Sequence, residues 1–384
     1  MSEALRWHNG DAAMLSTLST IRASALPRLV DRAAGTPLLW LWGTWRRKRS
    51  LPVAPRHFGL MIFETIGDTL LAATLIASLR GGVPDARVTV FASRGNLPAL
   101  ALLEGIDRVV EVPLTRPHLA LAAIRSIPVD VMIDIGQWPR WYALLCAASR
   151  SRHTIGFATP GQSRHYAYDT AVAHGRNVHE LENFQRLLEP IPGVAPLPPE
   201  RALRPVGRPP ARIGARTPYV VVHPWASGFR FAAREWPLAR WSELIARACG
   251  TGMSVLVSGS PADRSRAATL VAGLPEGLPV LTIAGEVSLA ELAAVLRGAA
   301  AVVTVNTGVM HLAALLDAPL VALHGPTSRR RWGPTGSRSI ALAPPPPAPC
   351  EFLHLGFEYP RGPVNCMERI EVDDVFGALR SLLR

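Results

Sequence analysis

Three groups of residues have types and spacings that could do chemistry. The first is Gly67–Asp68, which follows the apolar run Phe58–Phe63 after a short loop. A carboxylate at the carboxyl end of a strand can take a proton from a hydroxyl. Aspartate also favours helix N-termini, so Asp68 has a capping reading beside the catalytic one. The second is Arg234, just ahead of Glu235–Trp236–Pro237. A guanidinium there could clamp an anion with two parallel hydrogen bonds, or it could be a solvated residue before a helix. The third is a pair of turns, Asn306–Thr307–Gly308 and Gly325–Pro326–Thr327. Each follows a buried apolar strand and offers backbone N–H groups at a helix start, where a phosphate binds well. Thr307 is the expected N-cap. Asp263 follows another strand and could bind a ribose hydroxyl or simply place charge at a helix N-terminus. His311, one turn into its helix, reads as a support for the turn or as a core histidine.

The elements that must position these groups alternate between strand and helix. The first half predicts strands at Phe58–Phe63, Arg87–Ala92, Arg108–Val112, Val129–Ile133 and His153–Gly156. Helices are predicted at Thr69–Arg80, Leu119–Ser126, Pro139–Ala148 and Asn177–Leu188. Nine prolines between Pro190 and Pro218 then exclude helix and central strand and predict an extended connector. The second half repeats the pattern at Tyr219–Val222, Met253–Val257, Val280–Ile283, Ala301–Val305 and Leu320–Leu323, and ends in a helix at Val372–Leu383. Apolar β-branched strands of this kind are buried on both faces of a parallel sheet. Loops at the carboxyl ends of neighbouring parallel strands form the usual ligand crevice. The divisions expected are 1–56, 57–205 and 206–384.

At 384 residues, with 48% apolar content, the chain can fill two cores. Its net charge is +12, carried almost wholly by arginine, because Lys48 is the only lysine. Basic balance admits nucleic acid, an anionic membrane or an acidic substrate. No zinc-finger spacing or aromatic RNA-binding signature supports nucleic acid. Residues 1–56 hold nine basic against three acidic residues, a local +6. There Trp40, Trp42 and Trp45 precede Arg46–Arg47–Lys48–Arg49. Residues 37–49 therefore suit an anionic membrane surface, or a helix whose tryptophans pack on the body. No apolar run reaches the length of a membrane span and no signal peptide is evident, so the expected location is cytoplasmic, at the inner face of the membrane. Cys146 and Cys249 read as buried thiols. Cys350 and Cys366 read as free thiols, with a metal or disulfide pair as the alternative.

Five landmarks together resemble glycosyltransferase family 9, the ADP-heptose:lipopolysaccharide heptosyltransferase family. They are Ile66–Gly67–Asp68, His223–Pro224–Trp225–Ala226–Ser227, Arg234–Glu235–Trp236–Pro237, Ala284–Gly285–Glu286–Val287–Ser288–Leu289, and Asn306–Thr307–Gly308 with His311 followed by Gly325–Pro326–Thr327. The family pattern has Gly where Trp225 stands, Lys where Arg234 stands and Asp where Asn306 stands. The resemblance implies an α/β fold of GT-B type, two Rossmann-like domains facing a cleft. It implies inverting, metal-independent transfer without a cofactor, from a nucleotide sugar, most often ADP-heptose, to a lipid-linked oligosaccharide acceptor. Asp68 would be the base. Arg234, Thr307, Gly308, Gly325 and Thr327 would meet the donor diphosphate. Ser227, Asp263, Gly285, Ser288, Asn306 and His311 would complete the donor side. Gly67, Asp134 and Gln137 would lie on the acceptor side. The departures at Asn306 and Trp225 keep open a non-catalytic nucleotide-sugar binder of the same fold.

Overall fold

The computed structural model describes residues 25–384, apart from 84, 215, 217 and 347–349. Two parallel six-stranded sheets carry the chain. The first contains β1 (His57–Ile62), β2 (Arg87–Ala92), β3 (Arg108–Glu111), β4 (Val129–Asp134), β5 (Ser151–Ala158) and β6 (Thr170–Ala173). The second contains β7 (Tyr219–His223), β8 (Ser254–Val257), β9 (Val280–Thr282), β10 (Ala301–Val305), β11 (Leu320–Leu323) and β12 (Ser339–Leu342). Their orders are β3-β2-β1-β4-β5-β6 and β9-β8-β7-β10-β11-β12, the doubly wound order repeated. This is the GT-B architecture.

Alternation along each central strand builds a core on both faces of its sheet. Phe58, Leu60 and Ile62 enter one core of the first sheet, and Met61 enters the opposite one. Val220 and Val222 face one core of the second sheet, and Tyr219 and Val221 the other. Buried on both sides, these strands must read as continuous apolar runs. Their register sets the crevices: Leu60 pairs with Ile133 and Val303 with Val321.

Several elements differ from the sequence reading. The helix after β1 starts at Ile66, not Thr69, and breaks at Ala72 before resuming at Ala73–Gly82. The proline-rich connector includes a 3₁₀ turn, Pro199–Ala202, and a short helix, Ala211–Gly214. It is strapped to the body where Leu197 N–H donates to Ser78 Oγ at 2.8 Å. The C-terminal helix Val372–Leu382 packs on β10–β12 and on the helix Leu238–Cys249. Its buried stripe of Val372, Val375 and Leu379 completes a core of the second sheet. Cys350 and Cys366 are joined in a disulfide, which replaces the free thiols expected. Cys146 and Cys249 are buried and free.

The helix Ala25–Trp45 docks on the first half through its inner face. Asp31 accepts from Arg140 and from the Trp141 N–H, and Leu39 is fully buried. Gly35 and Gly43, eight residues apart, lie where a Cβ would strike Arg140 and Tyr166, so only glycine lets the helix sit this close. Trp45, at 88% exposure, and Trp40 and Trp42 face outward, which sets aside the packed-tryptophan alternative. Two of the four clustered basic residues are engaged internally: Arg46 and Arg49 both pair with buried Asp169. Among the described residues no helix is long and apolar enough to cross a membrane.

Candidate active site at the seam between the sheets

The carboxyl ends of the two sheets meet where the helix Ile66–Leu71 packs on the helix Gly308–Leu315. Two glycines permit the contact. A Cβ on Gly67 would lie 2.8 Å from the His311 ring, and one on Gly308 would lie 2.9 Å from Ile66. Gly67, Asp68, Gly308 and His311, predicted from separate motifs, are thus brought together.

Asp68 is 4% exposed and does two things at once. Its Oδ2 accepts from the Thr65 N–H at 3.0 Å and the Thr65 hydroxyl at 2.7 Å, closing a capping box in which Thr65, not Asp68, is the N-cap. This box explains why the helix begins three residues early. Its Oδ1 faces the Gln137 Nε2 at 3.5 Å. Capping therefore holds one oxygen and aims the other along the seam. Asp134 is arranged differently. It is buried in an ion pair with Arg164 at 2.7 Å, with the Tyr168 hydroxyl at 2.8 Å and the Gly136 N–H at 2.8 Å. That network lies inside the first half, and it leaves the Asp134 carboxylate 1% exposed.

On the second half the polar accounting is less complete. Thr307 has N-cap backbone geometry, but its Oγ1 is buried without a partner, as are His311 Nδ1 and His324 Nε2. The Asn306 amide must donate to the Trp332 carbonyl at 3.2 Å, because a carbonyl can only accept. The same NH₂ lies 3.2 Å from His324 Nδ1, which makes Nδ1 an acceptor and places the ring proton on Nε2. His324, fully buried, thus holds an unmatched donor beside the Gly325–Thr327 turn. Thr327 Oγ1 is 3.4 Å from the same Nδ1. Burial, with repulsion from His179 and His324, lowers the His311 pKa to about 3. Burial, then Arg329, lowers that of His324 to about 3. Both rings are neutral near pH 7 and act as hydrogen-bonding groups rather than cations.

The remaining donor-side candidates line the ends of β7–β9. Arg234 donates to the Ser227 carbonyl from a 3₁₀ turn. Asp263 closes a capping box with Ser260, and Ser288 closes one with Glu291. Gly285 adopts φ +68° where a Cβ would strike Pro261 at 2.7 Å, and its carbonyl accepts from Arg264. Trp225, which stands where the family has glycine, is buried against Gly259, with Arg266 4.5 Å above its ring.

Sequence reasoning missed His324, Arg331, Glu180 and the loop 350–366. His324 stands directly before Gly325, where the glycine and proline of the turn carry the local signal. The loop rests on the Gly325–Thr327 turn through Glu351 N–H to Gly325 O at 3.1 Å and Leu353 N–H to Pro326 O at 2.8 Å. Its Phe357 meets Trp138 of the first half edge-to-face at 5.4 Å. Nothing in its local pattern announces that contact.

Comparison with known proteins places the molecule. The family model described as glycosyltransferase family 9 (heptosyltransferase) matches residues 138–351. The chain belongs to glycosyltransferase family 9. It is 44% identical over 137 residues to lipopolysaccharide heptosyltransferase 1 of Pseudomonas aeruginosa, covering 35% of this chain and 36% of that relative. That alignment thus spans about a third of the relative's length. Over 304 residues the chain is 24% identical to lipooligosaccharide heptosyltransferase 2 of Haemophilus influenzae, covering 72% and 85%. Among solved structures, E. coli ADP-heptose lps heptosyltransferase II superposes with a TM-score of 0.66 at 19% identity, covering 85% and 98%. The family's two-sheet fold and this chain's fold agree.

Proposed function

We propose that this family 9 chain is an inverting, metal-independent glycosyltransferase that moves a heptose from ADP-heptose to a lipopolysaccharide-core-type acceptor. The observation that carries the reading is the seam, where Gly67–Asp68 lies against the start of the helix Gly308–Leu315. In this reading the units are 57–205 for the acceptor and 206–384 for the donor, with 1–56 as an extension.

The acceptor hydroxyl attacks the anomeric carbon. A new C–O bond forms as the bond to the diphosphate breaks, and the hydroxyl proton passes to Asp68 Oδ1. The leaving diphosphate carries the electron pair to the donor side. There the helix N-terminus at Gly308, the Thr307 hydroxyl, the His324 Nε2–H, Thr327 and Arg234 would receive it. The buried polar atoms of Thr307 and His324, which lack protein partners, support this placement. The binding-only alternative rests on the departures at Asn306 and Trp225; Trp225 is buried against Gly259 at the ends of β7 and β8. The test is Asp68→Asn with ADP-heptose and a deep-truncated lipopolysaccharide. Turnover should fall by about 100-fold or more while ADP binding holds. Near-parental turnover would remove Asp68 as the base.

The extension fits a membrane role in the same reading. Leu26, Val30, Leu41 and Trp45 form an exposed apolar stripe at helical spacing, and Arg47 and Lys48 are exposed beyond it. Leu41→Ser with Trp45→Ser should weaken binding to vesicles containing anionic lipid without lowering the melting temperature. Unchanged vesicle binding would sink this part of the reading.

A further inference from the structure

Arg331 comes from the donor side, in the helix Arg329–Trp332 that follows the Gly325–Thr327 turn. Of three consecutive arginines it alone is buried, with a side chain 2% exposed. Its guanidinium crosses into the first half. Nε donates to Glu180 Oε2 at 3.0 Å, and Nη2 lies 2.9 Å from the same oxygen. Glu180 is itself fully buried at the start of the helix Glu180–Arg186, where His174 Nε2 at 2.9 Å and Asn183 Nδ2 at 3.1 Å also hold its carboxylate. A carboxylate only accepts, so the His174 Nε2 facing Glu180 carries a proton; Arg331 Nη2 lies 3.2 Å from the same nitrogen, and the Thr159 hydroxyl lies 3.0 Å from His174 Nδ1. Burial would raise the Glu180 pKa, but His174 and Arg331 outweigh it and hold the group below its usual value. A second bond runs parallel. His179 Nδ1 accepts from the Leu181 N–H, so its Nε2 carries the proton and donates to Gly333 O at 2.9 Å.

The same guanidinium reaches the base. Arg331 Nη2 is 3.5 Å from Gln137 Oε1, and Gln137 Nε2 is 3.5 Å from Asp68 Oδ1. A guanidinium only donates and a carboxylate only accepts, so the amide between them has one permitted orientation. The chain of contacts runs one way, Arg331 to Gln137 to Asp68. Asn306 anchors its origin by donating to the Trp332 carbonyl next door.

We infer that Arg331 and Glu180 form a latch between the two halves, and that Arg331 is a positioning residue that aligns Asp68 through Gln137 only when the halves are docked. The role of Asp68 rests on the reading proposed above; the latch itself does not. A buried ion pair suits this task, because it is favourable only in one geometry, whereas an apolar contact tolerates sliding. Docking and alignment of the base are then one event. A chain that binds donor with its halves apart would hold Gln137 without its donor-side partner, Arg331, and so without the contact that fixes the amide facing Asp68 Oδ1.

The experiment uses the full chain and four variants: Arg331→Met, Glu180→Gln, the two combined, and Arg331→Lys. Amide hydrogen exchange is followed at residues 65–69 and 307–311 and in the strands of both sheets. Arg331→Met should speed exchange at the seam about tenfold or more while the strands stay protected. With ADP-heptose and deep-truncated lipopolysaccharide, its kcat should fall by about tenfold with the donor KM within about threefold. The combined variant leaves no buried charge and should regain folding stability but not kcat, because Gln137 still lacks its donor. Arg331→Lys should recover part of kcat. If Arg331→Met does not fold, Glu180→Gln gives the same exchange readout with the shape retained. Unchanged exchange at the seam in every variant overturns the latch, whatever happens to turnover. Faster seam exchange with kcat and KM both intact overturns the alignment of Asp68. A parent inert with ADP-heptose whose seam still loosens in Arg331→Met keeps the latch and overturns the donor reading instead.

Discussion

The two sheets share one topology, yet the ends of equivalent strands are finished in opposite ways. β4 ends at Asp134, whose carboxylate is closed off by Arg164, Tyr168 and a backbone N–H. β10 occupies the same place in the second sheet, and the turn after it leaves Thr307 Oγ1 without a partner. The neighbouring β11 ends at His324, whose Nε2 is likewise unmatched. Topology supplies a crevice at both places. Side-chain chemistry decides which crevice is closed by its own ion pair and which keeps unmatched hydrogen-bonding groups.

The sharpest way to break this contrast is to unseal the closed end. Arg164→Met leaves Asp134 as an unpaired buried charge and should cost about 3–5 kcal/mol of stability. ADP affinity, measured by calorimetry below the melting transition, should be unaltered. A large loss of ADP binding would mean that the first sheet's end also serves the nucleotide. At the open end, Arg234→Ala should weaken ADP binding by about 1.5–3 kcal/mol, the range for a charged hydrogen bond, with little change in melting temperature. Equal affinity in parent and variant would take Arg234 out of the site.

Acid should act on the open half through its buried neutral histidines. Burial lowers His223 to about 4, and His311 and His324 to about 3. Each therefore binds a proton in the unfolded chain before it does so in the folded one. Stability is fully present above the ordinary histidine value of about 6.5. It should fall below that by about 1.4 kcal/mol per pH unit for each such ring, down to its folded value. His311→Asn should remove one ring's share of the slope; denaturant titrations at pH 7 and pH 5 give the comparison, and an identical slope would contradict the assignment. The smallest effect is expected at Asn306. Asn306→Asp replaces a donor to the Trp332 carbonyl by a second acceptor, at a cost of about 1 kcal/mol in stability. It should also move the His324 proton to Nδ1 and so reduce ADP affinity modestly. Tighter ADP binding in the Asp variant would show that the asparagine is not tuned to this site.

Much of this was legible along the chain. Strands buried on both faces must be continuous apolar runs, so β1, β4, β7 and β10 stand out from their neighbours without any tertiary information. Gly67–Asp68 and Asn306–Gly308 mark strand-to-helix turns for the same local reason, and the structure brings them to one seam. Local rules also carried an error. The preference of aspartate for helix N-termini points to Asp68 as the N-cap, whereas Thr65 takes that place and Asp68 closes the box from three residues inside. The tryptophan-rich helix read as apolar and basic, but only packing decides which charges are free. Arg46 and Arg49 turn inward to Asp169, while Arg47 and Lys48 do not.

What the amino-acid order determined by itself is five strands of each sheet and the strand-to-helix turns after them, because each follows from periodicity and backbone preference over a few residues; the edge strands β6 and β12 carry no such signal. What only the tertiary structure decided is partnership across long separations. Arg331 finds Glu180 151 residues away, and Gln137 194 residues away. No local pattern distinguishes Arg331 from Arg329 or Arg330. Its burial, and hence its work, depends on the two sheets docking at one angle and on the one short helix that points it across the seam.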